Sequence, residues 1–340
     1  MDKRVIFAVA GSGKTTLLTE RLSEHSRTLI LTHTVNNERH LRSKIIGRFG
    51  FLPETIRVMT WFEFLHGFCC RPLLQEQLGI RGLSFSPPPQ KISRSQREHF
   101  QDYRGRVYHC RLSLLLMYRE MMPAVRSRFE RYYDELLVDE VQDFAGHDFN
   151  FLLKLCKAKA SVVLAGDFYQ HTFDTSRDGN TNASLHDDFD RYEMRFRTAG
   201  ITPDRETLSR TWRCSQAVCD FISRHLSIGI EAHGLHETQI EAVNDRSRAV
   251  ALHADAGVIK LFFREHHRYD CYSMNWGASK GLDHFQDICI ILGADHWQRL
   301  MQGTLNGLPP SSRNKLYVAC SRARGNITFI PEILLRPFRT

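Results

Sequence analysis

Residues 8–18 read AVAGSGKTTLL, a run of small residues that ends in Gly-Lys-Thr. Gly11 and Gly13 allow backbone N–H groups to close on a phosphate, and Lys14 carries an ammonium that can reach the outer phosphates of a nucleotide. The Thr15 hydroxyl that follows is suited to magnesium. Two more groups stand at the ends of apolar runs. Asp139 and Glu140 follow ELLV, and Gly166, Asp167 and Gln170 follow SVVLA. The first acid of such a pair can hold magnesium through water, and the second can orient an attacking water. Paired acids serve many chemistries, so this pair gains meaning only beside the glycine loop.

These residues need a scaffold that delivers them to one place. RVIFAV (4–9) is a strand-type run leading into the loop, and TTLLTERLSEH after it has Leu17, Leu18 and Leu22 near helical spacing. Strand, loop and helix in this order are the context a phosphate loop requires. TLILTHT (28–34), ELLVDEVQDF (135–144) and SVVLAGDFYQ (161–170) are further strand candidates, each with its polar residues at the carboxyl end. That pattern implies an α/β fold with a parallel sheet, in which ligands bind at the carboxyl edge.

The chain has 340 residues, enough for about two domains. No apolar run approaches the ~18 residues of a membrane span, and the N-terminal apolar stretch is too short for a signal peptide. A cytoplasmic protein with no membrane partner is expected. The nine cysteines form no Cys-x-x-Cys pair, which argues for reduced, mostly buried thiols over a zinc site or disulfide framework. Net charge is +8, and residues 71–131 hold 12 Lys and Arg against 5 Asp and Glu. Such a concentration suits a polyanion partner or a solvated helical face. Within it SFSPPPQK has little pattern, whereas LSLLLMYREMM is long and apolar enough for a helix.

Taken in order, the segments resemble the UvrD/Rep family of superfamily 1 helicases. AGSGKT, LTHTVNNER, VMTWFEFL, LLVDEVQDF, LAGDFYQ, LSRTWRCS, ASKGLDHFQDICII and LYVACSRARGNITFI are each similar to a family motif, over nearly the whole chain. The Asp-Glu-x-Gln-Asp match is the most specific. The resemblance implies two RecA-like P-loop NTPase domains with parallel sheets, a helicase superfamily 1 core with reduced insertions. Residues 1–205 would form the first domain, with 71–131 as a basic, partly helical insertion, and 206–340 the second. ATP would be trapped between them. Gly11, Ser12, Gly13, Lys14, Thr15 and Thr16 would hold its phosphates, and Thr15 and Asp139 would serve Mg2+. Glu140 would activate water, Gln170 would sense the terminal phosphate, and Arg213 and Arg322 would meet its developing charge. Trp212 stands where the family stacks a Tyr on adenine, and Gly281 and Asp283 lie in the segment that holds the ribose. Single-stranded DNA is expected on Thr32, Thr34, Asn36, Thr60, Trp61, Phe62 and Tyr169, with Phe64 and Phe168 as further stacking candidates.

The departures from the family are also informative. Seven residues precede Ala8, which leaves no room for the family's adenine-reading glutamine segment. Val9 replaces a Gly, Thr16 an adenine-contacting Arg, and Gly277 a His that bears on coupling between ATP and DNA. The stretch from Cys214 to Lys280 is too short for the large second-domain insertion. Two functions follow as expectations. One is a single-stranded-DNA translocase or helicase acting on single strands or tailed duplexes, with 3′–5′ polarity if the family's holds. The other is a helicase-like ATPase that gates a partner nuclease or another complex subunit, in defence (Gabija-type systems have small UvrD-like subunits) or repair. An RNA-virus-type superfamily 1 helicase fits less well, because Val-Asp-Glu-Val-Gln-Asp matches UvrD/Rep better.

Overall fold

The computed structural model describes residues 2–172, 180–234 and 236–340. The chain divides into two compact units. One comprises Met1–Ile6, Lys14–Gly166 and Phe173–Asp204, and the other Phe7–Gly13, Asp167–Thr172 and Arg205–Thr340.

The first unit is built on a six-stranded sheet. Its strands are β1 (Lys3–Phe7), β2 (Thr28–Thr32), β3 (Ile56–Thr60), β6 (Glu135–Val138), β7 (Ser161–Gly166) and β8 (Thr202–Asp204), in the order β3-β2-β6-β7-β1-β8. A separate pair, β4 (Gly82–Ser84) and β5 (Arg106–Tyr108), lies in the insertion. The β1–β8, β2–β3, β2–β6 and β6–β7 pairs are parallel. Every residue of β2 and β6 is buried, as expected of parallel strands covered on both faces, and this is why both read as unbroken apolar runs. Val35–Phe49 is a helix capped by Thr34, whose hydroxyl accepts the Asn37 N–H, and closed by Gly50 in the left-handed conformation.

LSLLLMYREMM holds the expected helix, and a second helix starts at its last residue. Leu112–Tyr118 ends before Glu120, whose φ of 57° cannot continue a helix, and Met122–Tyr132 restarts with a proline in its first turn. Phe64–Cys70 is a π-helix, an element that sequence spacing does not reveal.

The second unit carries β9 (Arg210–Thr211) paired with β10 (Glu231–Ala232), and a five-stranded sheet. That sheet comprises β11 (Ile240–Ala242), β12 (Ile259–Phe262), β13 (Ser273–Asn275), β14 (Ile288–Leu292) and β15 (Ile327–Pro331), in the order β11-β15-β14-β12-β13. All its pairs are parallel. Along β14, Ile288, Ile290 and Leu292 enter one apolar cluster while Cys289 and Ile291 enter another on the opposite face. The expected class, α/β with parallel sheets, is the observed one. Seven of the nine cysteines are buried, and all nine are free thiols. No helix among the described residues is long and apolar enough to cross a membrane.

Candidate functional site

In the first unit, β6 delivers two acids to the carboxyl edge of the sheet, and the helix Lys14–Glu20 begins with the lysine and threonine that meet them. Thr15 Oγ1 donates to Asp139 Oδ2 at 3.2 Å, and Lys14 Nζ lies 3.8 Å from Glu140 Oε1. Asp139 is buried, and its Oδ1 accepts the Glu140 N–H at 3.0 Å. Burial pushes the Asp139 carboxyl up to about 7, with the neighbouring Glu140 charge adding to the rise and Lys14 opposing it.

Glu140 itself holds φ 58° and ψ 47°, a left-handed conformation that costs a non-glycine residue of order 1–3 kcal/mol. The Gln142 side chain donates to its Oε2. Gly166, at the end of β7, makes this possible. A Cβ at that position would lie 2.3 Å from Gln142 Oε1 and 3.0 Å from the Val141 nitrogen.

A buried carboxylate beside a hydroxyl suits a hard cation. No cluster of three or more His, Cys, Asp or Glu among the described residues could cage a metal. Magnesium does not require one, because it is commonly held by one or two carboxylates together with substrate phosphates and water. Thr15 and Asp139 therefore fit the ion.

In the second unit, the segment Phe7–Gly13 is fixed by its own neighbours. Gly11 (φ 71°) accepts the Trp212 N–H at 3.0 Å, and a Cβ on it would lie 2.7 Å from Arg213 Cβ and 2.8 Å from Thr211 Oγ1. Only glycine allows that approach, so Gly11 serves packing against Arg213 as well as backbone freedom. Gly13 (φ 92°) has open space where its Cβ would be.

The Ala10 N–H donates to the Tyr317 hydroxyl at 2.9 Å, and that hydroxyl donates to Asp167 Oδ2 at 2.8 Å. Burial, followed by the Asp167 charge, pushes the Tyr317 phenol well up. Tyr317 lies on the helix Pro310–Cys320 inside the quoted Tyr-Val-Ala segment, and its role shows only once residues 307 positions apart meet. Gln142, Thr211 and Tyr317 are thus site residues to which sequence reasoning assigns no role.

Arg213 and Arg322 converge on Asp283. Arg213 pairs with Asp283 Oδ1 and donates to the Ser321 carbonyl at 3.0 Å. Arg322 is 1% exposed and donates to the Val318 and Leu282 carbonyls at 3.2 and 3.1 Å, with Asp283 3.7 Å away. Burial, with Arg213 beside it, lowers the Arg322 guanidinium to about 10. Asp283 therefore accepts from Arg213 and is ion-paired with Arg322, at the position for which a ribose contact is expected. Gly281 adopts φ 82° two residues earlier. Trp212 is 69% exposed, and its ring stacks on His233 at 3.9 Å and 10°. Gln170 is buried at the end of the turn Phe168–Gln170.

Among the residues expected to contact a strand, Asn36 is exposed and Phe62 half-buried, whereas Thr32 is buried. The Thr60 hydroxyl accepts the Glu63 N–H in a capping box, so it is already engaged. Trp61 is corrected from a stacking platform to a core residue. It is 3% exposed and packs on Phe64, Phe144 and Phe151. Phe64 and Phe168 are buried too, and Tyr169 packs edge-on against Tyr317 beneath Arg313. Thr16 accepts from Lys44 Nζ at 2.8 Å, and Ser12 is buried.

Asp139→Asn is expected to raise the thermal unfolding midpoint of the nucleotide-free protein at pH 8. A carboxyl whose folded pKa lies above its unfolded value destabilises the fold while charged. That cost fades as pH falls from about 7 toward the unfolded value near 4, and the gain in midpoint should shrink with it. Equal midpoints at pH 8 would show that the acid pair is not under electrostatic strain.

No family model and no curated protein matches the sequence. Solved structures similar to the chain include a PRRSV helicase, at 16% identity and a TM-score of 0.48 over 96% of this chain and 52% of that one. Arterivirus nonstructural protein 10, a helicase, is similar at 15% identity and a TM-score of 0.48, covering 98% of this chain and 62% of that one. Its complex with DNA has 15% identity and a TM-score of 0.49, covering 98% and 63%. The chain thus spans 52–63% of the length of these proteins.

Proposed function

We propose that the chain is an ATP-driven translocase or helicase on single-stranded DNA, of the UvrD/Rep type and with 3′–5′ polarity. The observation that carries this reading is the Asp139–Glu140 pair at the end of β6, with Asp139 buried and Glu140 half-buried, tied to Thr15 and Lys14 respectively. The eight motif-like segments in family order support the same reading.

Lys14 provides positive charge at the outer phosphates, and the loop backbone cradles them. Glu140 takes the proton of the attacking water as the water oxygen bonds to the terminal phosphorus and the bond to the leaving diphosphate breaks. Gln142 orients Glu140, and the strained Glu140 backbone holds the carboxylate beside Lys14. Magnesium, when bound at Thr15 and Asp139, neutralises phosphate charge. Arg213, packed on Gly11, and Arg322 provide guanidinium charge for the transition state. Trp212 offers an exposed ring to the base.

Strand displacement on duplexes with a 3′ or a 5′ single-stranded tail tests the motor reading. Unwinding of the 3′-tailed substrate alone is expected. ATP turnover without displacement of either substrate would favour a partner-gating ATPase, and displacement of the 5′-tailed duplex alone would reverse the polarity.

A further inference from the structure

A row of aromatic rings that ends in an exposed phenylalanine lies in the first unit, away from the glycine loop in sequence, and no motif accounts for all of it. Strands β4 and β5 are parallel with Ser84 opposite Tyr108, and this register sets the next residues, Phe85 and His109, side by side. Their rings stack at 4.9 Å and 30°. Phe85 also meets Phe62 at 6.0 Å, and Phe62 stacks on His66 of the π-helix at 6.0 Å and 17°. Four rings from three segments, the helical stretch Trp61–Cys70 and the ends of β4 and β5, thus form one continuous row. Phe85 is 67% exposed and leads into the irregular Ser86-Pro87-Pro88-Pro89 stretch, while the other three rings are half-buried.

Apolar burial alone does not explain an ordered ring left in water at the end of such a row. His109 and Phe62 hold the Phe85 ring in place, so a ligand that stacks on it loses little side-chain freedom. The charge of the segment selects the ligand, and Arg71 lies close enough to His66 to act on its ring. The segment 71–131 that contains Phe85 and His109 holds 12 Lys and Arg against 5 Asp and Glu, and Arg71, Arg81, Lys91 and Arg94 are exposed there. Base faces stack on aromatic rings with little regard to sequence, and basic side chains track the phosphates. An apolar protein segment would have no use for the positive charge.

We propose that the Phe62–His66–Phe85–His109 row is a base-stacking site for single-stranded nucleic acid, with Phe85 as its outermost ring. The site rests on the translocase reading and adds to it a strand contact contributed by the insertion. Fluorescence anisotropy with a labelled oligothymidylate across a salt series tests it on the full chain. Phe85→Ala is expected to weaken binding about tenfold, since stacking on one aromatic is worth roughly 1–3 kcal/mol per base. Its log–log salt slope should match that of the wild type, because no phosphate contact is removed. Phe85→Leu, which keeps apolar bulk without a π face, should be weakened likewise, whereas Phe85→Trp should bind and show quenching of its fluorescence by the strand. Wild-type affinity in Phe85→Ala or in Phe85→Leu would overturn the site. The translocase reading fails on a different observation, namely ATP turnover in the wild type that does not respond to nucleic acid.

Discussion

Lys14→Ala is expected to lower ATP turnover by about 10²–10³-fold or more, the loss typical when one preorganised group facing developing charge is removed. Lys14 is nearly buried, with its ammonium 3.8 Å from Glu140. Its removal takes positive charge from the phosphates and also removes a cation from beside two neighbouring carboxylates, Asp139 and Glu140. Both effects act in the same direction, since uncompensated negative charge repels the incoming nucleotide. Affinity for magnesium-ATP should therefore fall together with turnover. Phosphate release by the purified variant at the wild-type rate would remove the glycine loop from the chemistry.

Glu140→Gln is expected to show the opposite division, with binding kept and hydrolysis lost. The amide has the shape of the carboxylate but cannot accept the proton of the attacking water, and general-base catalysis of this kind contributes about 10²–10⁴-fold. The left-handed backbone at Glu140 is retained in this variant, so the geometry around Lys14 and Asp139 persists. Substituting Gln also removes one of two adjacent negative charges. Burial would still raise the Asp139 carboxyl, but the contribution from Glu140 would vanish. Nucleotide binding should then be equal to that of the wild type or tighter, as read by a fluorescent ATP analogue, while phosphate release slows. Loss of binding along with turnover would make Glu140 a ligand or a structural group, with the base elsewhere.

Much of this site is legible in the sequence because its parts are local. The glycine loop, Lys14 and Thr15 are contiguous, and β2, β6 and β7 announce themselves as apolar runs because parallel strands bury both faces. The acids fall where such strands end. What sequence does not disclose is which side chains end up inside. Trp61 and Phe62 are neighbours in one motif-like segment, yet the first is buried on Phe144 and Phe151 while the second is half-buried and meets the exposed Phe85. Helical phase at a three-residue helix that passes into a π-helix cannot be read from spacing. The row itself depends on pairing between two strands of three residues, too short to leave a periodic signal. Charge counts are equally blind to use. Arg111 is buried on the His99 carbonyl and Arg106 is paired with Asp102, so neither offers the free charge that the total of the segment suggests. Tyr317 and Ala10 are joined by a hydrogen bond that no local pattern foreshadows.

The central claim is that nucleotide hydrolysis at Lys14, Asp139 and Glu140 is coupled to a nucleic-acid strand. Steady-state phosphate release by the wild-type chain, with magnesium-ATP in the presence and absence of single-stranded DNA, measures that coupling directly. Turnover that rises when the strand is added, and that disappears in both conditions for Glu140→Gln, is the expected result. Turnover that is the same with and without DNA, or that survives in Glu140→Gln, would contradict it.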